Sequence, residues 1–387
     1  KEFENYLQYW ALQMLKRDQD GIYPEMSTDN IPNESADLGS MYTARIIYGA
    51  SLGCLKLKTD QFRPLSDMAY DLLAEFKNPF GGYFWGRKYN MEWIDDPDNV
   101  NMAQAFVLYG LAEYVRLNNS SEVNQLIDEQ IAFIGSTLRD DTDPYYLDGF
   151  TEQWVRGKNM TRSFATHFHI MEALVKVYEN RKDEKIKNVI ESLLYIIIDK
   201  FIDKEGYFCI HRFTEDWQML PNENWAGHNA ECSWVICHAA RIINDKKLIK
   251  KTEELAVLMM KEVVELAKDE RHGGYSNLIS KNGVHEENKS WWPQAEVVLG
   301  LLNVYKITEE EYYQKLAKEQ MSYIQKYFVQ EHGEWNALVN QKGEPLQGTP
   351  KIFFWKSMYH TVRYYDYLLT DLYASYNIAL YHILKPV

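Results

Sequence analysis

Histidines His169, His228 and His360 hold the chemistry in this chain that residue type and spacing single out. An imidazole near its ordinary pKa of about 6.5 can both take and return a proton at neutral pH, a contribution of roughly 10²–10⁴-fold to a rate. His169 has Glu172 three residues on, and His228 has Glu231 at the same offset. Residues three apart share a helix face, so each glutamate is expected to hold one ring nitrogen and leave the other for a reactant. His360 has Arg363 in the corresponding place. Two imidazoles reaching in from opposite sides suit a reaction that removes a proton from one face of a carbon and returns it to the other.

Other chemistries have less support. Three histidines with carboxylates nearby could ligate zinc, but the 228–231 pair is not an HExxH arrangement and no cysteine set accompanies it, so no metal is expected. Cys54, Cys209, Cys232 and Cys237 form no CxxC pair, and Cys232 and Cys237, five apart in an apolar helical stretch, read as reduced buried thiols, which fits a reducing compartment. Neither GxGxxG nor GxxxxGK[ST] occurs, so no nucleotide cofactor is expected. His167, His211, His238, His272, His285, His332 and His382 fall off phase or in loops and read as structural or solvated.

What could bring such distant residues together is a repeat. A turn-plus-aromatic motif recurs as DGIY (20–23), GGYF (81–84), PYYLDGF (144–150), EGYF (205–208), GGYS (273–276) and GEWN (333–336). Its markers Tyr23, Tyr83, Tyr145, Tyr207, Tyr275 and Trp335 are 60, 62, 62, 68 and 60 residues apart. Each motif reads as a glycine turn beside a short strand. Between them run two kinds of helix. Val123, Leu126, Ile127, Ile131 and Ile134 mark an amphipathic one, as do Ile186, Val189, Ile190, Leu193, Leu194 and Ile197. Met102–Leu117, Ile170–Val177, Ala230–Ile243 and Gln294–Tyr305 are apolar nearly all round and read as buried helices, with a last one from about Met358 to Ile383.

Six outer and six inner helices are expected to close into an all-α (α/α)6 barrel, one domain over residues 1–387 with hairpin loops at one rim. A straight solenoid would need polar capping repeats, and both terminal units are apolar. Arg45, Gln104, His169, His228, Trp292 and His360 then share a phase, at spacings of 59, 65, 59, 64 and 68, near the starts of the inner helices. In a ring those starts meet at one rim.

Composition sets outer bounds. With 42 basic against 56 acidic residues the net charge is −14, which opposes binding to a nucleic-acid backbone. No apolar run reaches the ~18–20 residues of a membrane span, and the opening KEFENYLQYW lacks the form of a signal peptide, so a cytoplasmic location is expected. The 55 aromatic residues (11 Trp, 28 Tyr and 16 Phe) suit a sugar, whose C–H faces stack on rings while Tyr OH and Trp N–H supply polar contacts.

The blocks THFHIMEALVKVY, GHNAECSW, SWWPQAEVVLGLLNVYKIT and WKSMYHTVR, with YTARIIYGAS and GGYFWGRKYN, resemble the N-acylglucosamine 2-epimerase superfamily and within it the cellobiose 2-epimerases. The resemblance spans essentially the whole chain. It implies an (α/α)6 barrel and cofactor-independent epimerisation at C2 of a reducing-end aldose, of cellobiose, glucose or mannose type, through a cis-enediol. By motif matching it places the acid–base roles on His228 and His360, and sugar contacts or supporting groups on Arg45, His169, Glu231, Trp292, Glu296 and Trp355. Two places depart from the pattern: Ala165 stands where an Asn is usual, and Ser357, Met358, Thr361 and Val362 replace the usual residues around Tyr359-His360. An aldose–ketose isomerase of mannose type and an N-acylglucosamine 2-epimerase are the alternatives on the same scaffold. A glycoside hydrolase using Glu231 and Glu296, or a sugar-binding toroid without activity, is the alternative from a different class. A small sugar is the expected partner, with a monomer or weak homodimer.

Overall fold

The computed structural model describes residues 1–16, 21–140, 145–279 and 288–372. Twelve helices alternate between two layers. The inner ones are α2 (Ser40–Leu57), α4 (Val100–Leu117), α6 (Phe164–Arg181), α8 (Ala226–Ile243), α10 (Trp291–Thr308) and α12 (Tyr359–Tyr367). The outer ones are α1 (Glu2–Tyr9), α3 (Arg63–Ala74), α5 (Ser121–Thr137), α7 (Glu184–Lys200), α9 (Lys246–Ala267) and α11 (Glu311–Tyr327). Each inner helix packs on the next and α12 returns to α2, so the ring is closed. This is the (α/α)6 barrel expected from the repeat. No helix among the described residues is long and apolar enough to cross a membrane.

The two layers follow from their sequences. On α7, Ile186, Ile190, Leu193, Leu194 and Ile197 are buried, while Glu184, Lys185 and Asn188 face solvent. On α4 every residue from Val100 to Val115 is buried, because it touches helices on both sides as well as the outer layer. Gly110 of α4 permits a close approach of two inner-helix backbones: a Cβ there would lie 2.6 Å from the Ala44 carbonyl oxygen of α2. Side chains of Ser120, Ser163, Asp183 and Asp245 accept from the first free N–H groups of α5, α6, α7 and α9.

The inner helices begin two to six residues before their apolar runs, which places His169, His228 and Trp292 within the helices themselves. The α12 helix runs Tyr359–Tyr367 and continues as a π-helical turn through Leu372; the remainder of the helix expected to reach Ile383 lies outside the described residues. Asp20 of the first turn motif, Pro144 of the third, His285 and His382 lie outside them too.

The turn motifs sit between each outer helix and the next inner one. Lys77 pairs with Tyr83, Arg139 with Tyr146, Ile202 with Cys209, Lys268 with Tyr275 and Val329 with Trp335 in single antiparallel bridges. The paired residue in the third and fourth turns is thus Tyr146 and Cys209, not the aromatic markers Tyr145 and Tyr207. An inner-helix side chain then clamps each of four turns. Gln104 accepts from Tyr83 N at 2.9 Å and donates to Tyr83 O at 2.7 Å. Gln294 does the same to Tyr275 at 3.0 and 2.8 Å. Asn229 accepts from Cys209 N and donates to Tyr207 O, and His167 Nε2 accepts from Tyr146 N. Gly82 adopts φ +63° here, and a Cβ on it would meet Gln104 Oε1 at 2.6 Å.

Four inner helices end on a left-handed residue other than glycine: Lys58, Lys182, Asn244 and Glu309. Glu309 combines φ +59° with a negative charge at a helix C-terminus, both unfavourable. Glu309→Gly is expected to stabilise the protein by about 0.5–1 kcal/mol, read as a shift in the urea midpoint at constant m.

Candidate active site

Arg45, His169, Glu231 and Glu296 are each the sixth residue of their inner helix, on α2, α6, α8 and α10. That shared register puts all four at the same depth in the ring. His228, Trp292 and His360 are the third, second and second residues of α8, α10 and α12, one turn nearer the rim. The site therefore has two layers, an upper one of rings and a lower one of charges.

Arg363, one turn below His360 on α12, is the centre of the lower layer. Its guanidinium donates to Glu172 Oε1 at 2.7 Å, to Glu296 Oε1 at 2.5 Å, and to Glu231 Oε1 and the Tyr359 hydroxyl. Three carboxylates from three helices thus converge on one buried cation. Tyr359 OH donates to both oxygens of Glu172 at 2.8 Å. Burial pushes the Glu172 carboxyl up, but Arg363, His169 and Tyr359 together draw it below its ordinary value. Glu231 and Glu296 lie above theirs, because burial outweighs the opposing pull of Arg363.

Two imidazoles, His169 at the lower depth and His360 at the upper, hang from this network. His169 Nδ1 lies 2.7 Å from Glu172 Oε2, as the i,i+3 spacing predicts. His360 Nδ1 lies 2.7 Å from Glu296 Oε1, a partner on a different helix. Glu296 also accepts from Trp234 Nε1 at 2.9 Å. Every group around that carboxylate is an N–H donor, so His360 presents Nδ1–H to Glu296 and keeps Nε2 for a reactant.

His228 differs from the expectation. It does not bond to Glu231, whose carboxylate is drawn down to Arg363; its Nδ1 lies 3.2 Å from Nε2 of His211 instead. The Trp292 ring touches both candidate acid–base groups, 4.9 Å from His228 and 5.3 Å from His360. Burial, followed by the neighbouring imidazoles, lowers His228 well below its ordinary value. Burial lowers His360 as well, with Glu231 opposing.

Arg45 donates to the Trp355 carbonyl at 3.0 Å and lies over the Phe106 and Tyr359 rings, at 4.0 and 5.0 Å. Its Nε is buried with no hydrogen-bond partner, and burial brings the guanidinium down to about 10, still cationic at neutral pH. Trp355 leaves its ring 43% exposed at the rim, 5.3 Å from Trp85. Glu231, Glu296 and His360 offer ligand atoms within 4.8 Å of one another, a spacing a metal could use. The Arg363 guanidinium already bonds to both carboxylates, and His360 uses its near nitrogen on Glu296, so the set suits an organic cation and not a metal ion.

The family model for N-acylglucosamine 2-epimerase (GlcNAc 2-epimerase) matches residues 21–363. The chain belongs to this family. Cellobiose 2-epimerase of Dictyoglomus turgidum is 28% identical over 365 residues, 90% of this chain and 92% of that protein. Cellobiose 2-epimerase of Bacteroides fragilis is 25% identical over 372 residues, 92% and 94% of the two chains. Among solved structures, a sugar epimerase from a ruminal bacterium shares the fold with TM-score 0.87 at 20% identity, covering 97% of this chain and 98% of that one. A D-mannose isomerase shares it with TM-score 0.84 at 17% identity, covering 95% and 96%.

Within this epimerase-family fold, the eight residues singled out from sequence form two connected groups. His169, Glu231, Glu296 and His360 meet through Arg363, with His228 joined to them by Trp292; Arg45 and Trp355 bond to each other beside Tyr359. Gln104, placed in the same phase by spacing, serves as a turn clamp and takes no part. Tyr359, Trp234 and His211 were not foreseen. Trp234 lies three residues past Glu231 within the GHNAECSW block, a spacing that could have pointed to it. His211 had no such signal, since its loop position resembles that of any solvated histidine. Of the departures around His360, Ser357 and Met358 face α2. Met358 packs against Gly49, where a Cβ would sit 2.6 Å from it, and Ser357 donates to Tyr42 O at 3.0 Å.

Proposed function

We propose that the protein is a cofactor-independent sugar 2-epimerase, residues 1–387 forming one catalytic unit, which inverts C2 of a reducing-end aldose through a cis-enediol. The observation that carries this reading is the pair of imidazoles, His228 and His360, both in contact with the Trp292 ring and each with Nδ1 engaged and Nε2 left over. In the open-chain sugar the C1 carbonyl makes the C2 hydrogen acidic. One neutral imidazole takes that hydrogen as a proton, and the C–H electrons pass to the C1 oxygen to give the enediolate. The opposite imidazole, protonated, returns a proton to the other face of C2, and the carbonyl re-forms.

The surroundings divide these roles. Glu296 bonded to Nδ1 favours the protonated form of His360, whereas the neutral His211 leaves His228 in its basic form. The Arg45 guanidinium and the N-termini of α8, α10 and α12 supply positive potential where the enediolate charge develops. The exposed Trp355 ring beside Trp85 provides a stacking platform for a second sugar ring, which favours a disaccharide of cellobiose type.

The hydrolase alternative lacks two opposed carboxylic acids, since Glu231 and Glu296 bond to the same guanidinium and lie too close for that work. A family 76 glycoside hydrolase of Bacteroides thetaiotaomicron shares the fold, at TM-score 0.71 and 9% identity.

The test is incubation with cellobiose, mannose, glucose and N-acetylglucosamine separately in D₂O, followed by NMR. A C2-epimeric aldose with deuterium at C2 is the expected product. A ketose product would make the protein an isomerase of the mannose type. Extensive turnover with no deuterium at C2 would sink the enediol route.

A further inference from the structure

His228 is the one of the three site histidines whose Nδ1 has no carboxylate behind it. His169 rests on Glu172 and His360 on Glu296, each at 2.7 Å. His228 rests on a second imidazole, which comes from the loop after α7 and not from an inner helix. That loop residue is firmly held. Its backbone N–H donates to Asn222 Oδ1 at 2.8 Å, and its carbonyl accepts from Phe164 N at 2.9 Å, at the first residue of α6. The two rings meet edge to face, with centroids 4.8 Å apart and planes at 84°. His228 is thereby wedged between His211 and Trp292.

The proton count fixes the tautomers. When Nε2 of His228 has taken a proton from carbon, the ring is an imidazolium and Nδ1 must carry hydrogen as well. The one acceptor bonded to Nδ1 among the described residues is Nε2 of His211. His211 must then hold its own hydrogen on Nδ1. We propose that His211 is the positioning residue for His228, accepting the Nδ1 hydrogen and so turning a basic Nε2 toward C2 of the sugar. This rests on the acid–base reading of the site given above.

A neutral acceptor has a consequence that a glutamate would not. It orients the ring as a carboxylate does, but adds no negative charge to hold a proton on it. The charged or titratable groups around the pair are Arg212, itself paired with Asp98 at 3.0 Å, and the His169 and His360 rings. None is an anion bonded to either ring. His228 therefore stays a base to lower pH than a carboxylate-backed histidine would. His211 itself is brought down to about 4 by burial and then Arg212, so it remains an acceptor through the neutral range.

The experiment compares wild type with His211→Phe, His211→Gln and His211→Glu. Activity is followed as kcat and KM for C2 exchange, and His228 by its ¹⁵N imidazole shifts across a pH titration. His211→Phe keeps a ring and loses the acceptor, so kcat is expected to fall about 10–100-fold with KM within about threefold. The amide oxygen of His211→Gln restores most of that loss. His211→Glu raises the His228 titration by about one pH unit or more and moves the acid limb of kcat/KM with it. Unchanged kcat in His211→Phe together with one His228 titration common to all four proteins would overturn the inference. If wild type exchanges no C2 hydrogen with any sugar, the catalytic reading fails by itself, and the ¹⁵N titrations alone decide the part played by His211.

Discussion

His360→Ala and His228→Ala should each lower kcat for C2 exchange by about 10²–10⁴-fold while leaving the circular dichroism spectrum and unfolding midpoint close to wild type. The size of the effect follows from the chemistry. Taking a proton from carbon needs a base held at the carbon, and water cannot replace an imidazole fixed by Glu296 or by His211. The fold should survive because neither ring holds the barrel together. With His360 gone, Glu296 keeps Arg363 and Trp234; with His228 gone, Trp292 still lies against Gly227 of α8, and Phe164 keeps Phe168 and Phe201. The two variants should also differ in pH dependence. A neutral His228 is required as base, so wild-type activity falls as pH drops through the His228 value, whose depression by burial extends activity into mildly acid solution. Near-wild-type exchange in either variant would remove that histidine from the mechanism.

Arg363→Met should be the most destabilising single change in the site, by about 3–5 kcal/mol at pH 7, measured by urea unfolding. The methionine nearly fills the space but leaves Glu172, Glu231 and Glu296 buried together without a cation. Like charges in a dry site raise one another's pKa, so in the variant all three carboxyls lie above their unfolded values. A carboxyl raised on folding binds more protons folded than unfolded. Its contribution is therefore complete below the unfolded pKa of about 4.3 and is lost as pH rises through the folded value. The deficit relative to wild type should accordingly shrink as pH is lowered from 7 toward 5. In wild type Glu172 has the opposite sign, being depressed, and its contribution is lost only as pH falls below the unfolded value. A deficit that grows on acidification would mean that Arg363 does not neutralise these carboxylates.

The ring was legible in the sequence because its signal is repeated. Six turn motifs at a near-constant period and two kinds of helix leave few other closures, and the apolar faces of α5 and α7 lie where their periodicity puts them. The candidate site was legible in part. His169 with Glu172 is a local i,i+3 pair, and local pairs can be read from spacing. The partner of His360 is 64 residues away on α10, so only packing could identify it. The same limit explains the misplaced Glu231. Spacing offered it His228, but a guanidinium with several donors, arriving from α12, competes better for a buried carboxylate than a neutral ring does. Phase was also read one step too coarsely. Gln104 matched the period of the site residues, yet it lies on the side of α4 that meets its own turn.

The side-chain clamps on the turns have a consequence for how this barrel can change. Gln104, His167, Asn229 and Gln294 each anchor a turn to an inner helix of the same repeat, so the position where that helix starts does not depend on the loop between them. The loop between the second turn and α4 carries the exposed Tyr89 ring, while His169, His228 and His360 ride on the helices. Outside the loop that carries His211, insertions, deletions or grafts between a clamped turn and its inner helix can therefore alter which sugar is admitted without resetting the geometry of proton transfer. In those loops the barrel separates the part of the molecule that selects from the part that reacts, and each can be varied with the other held still.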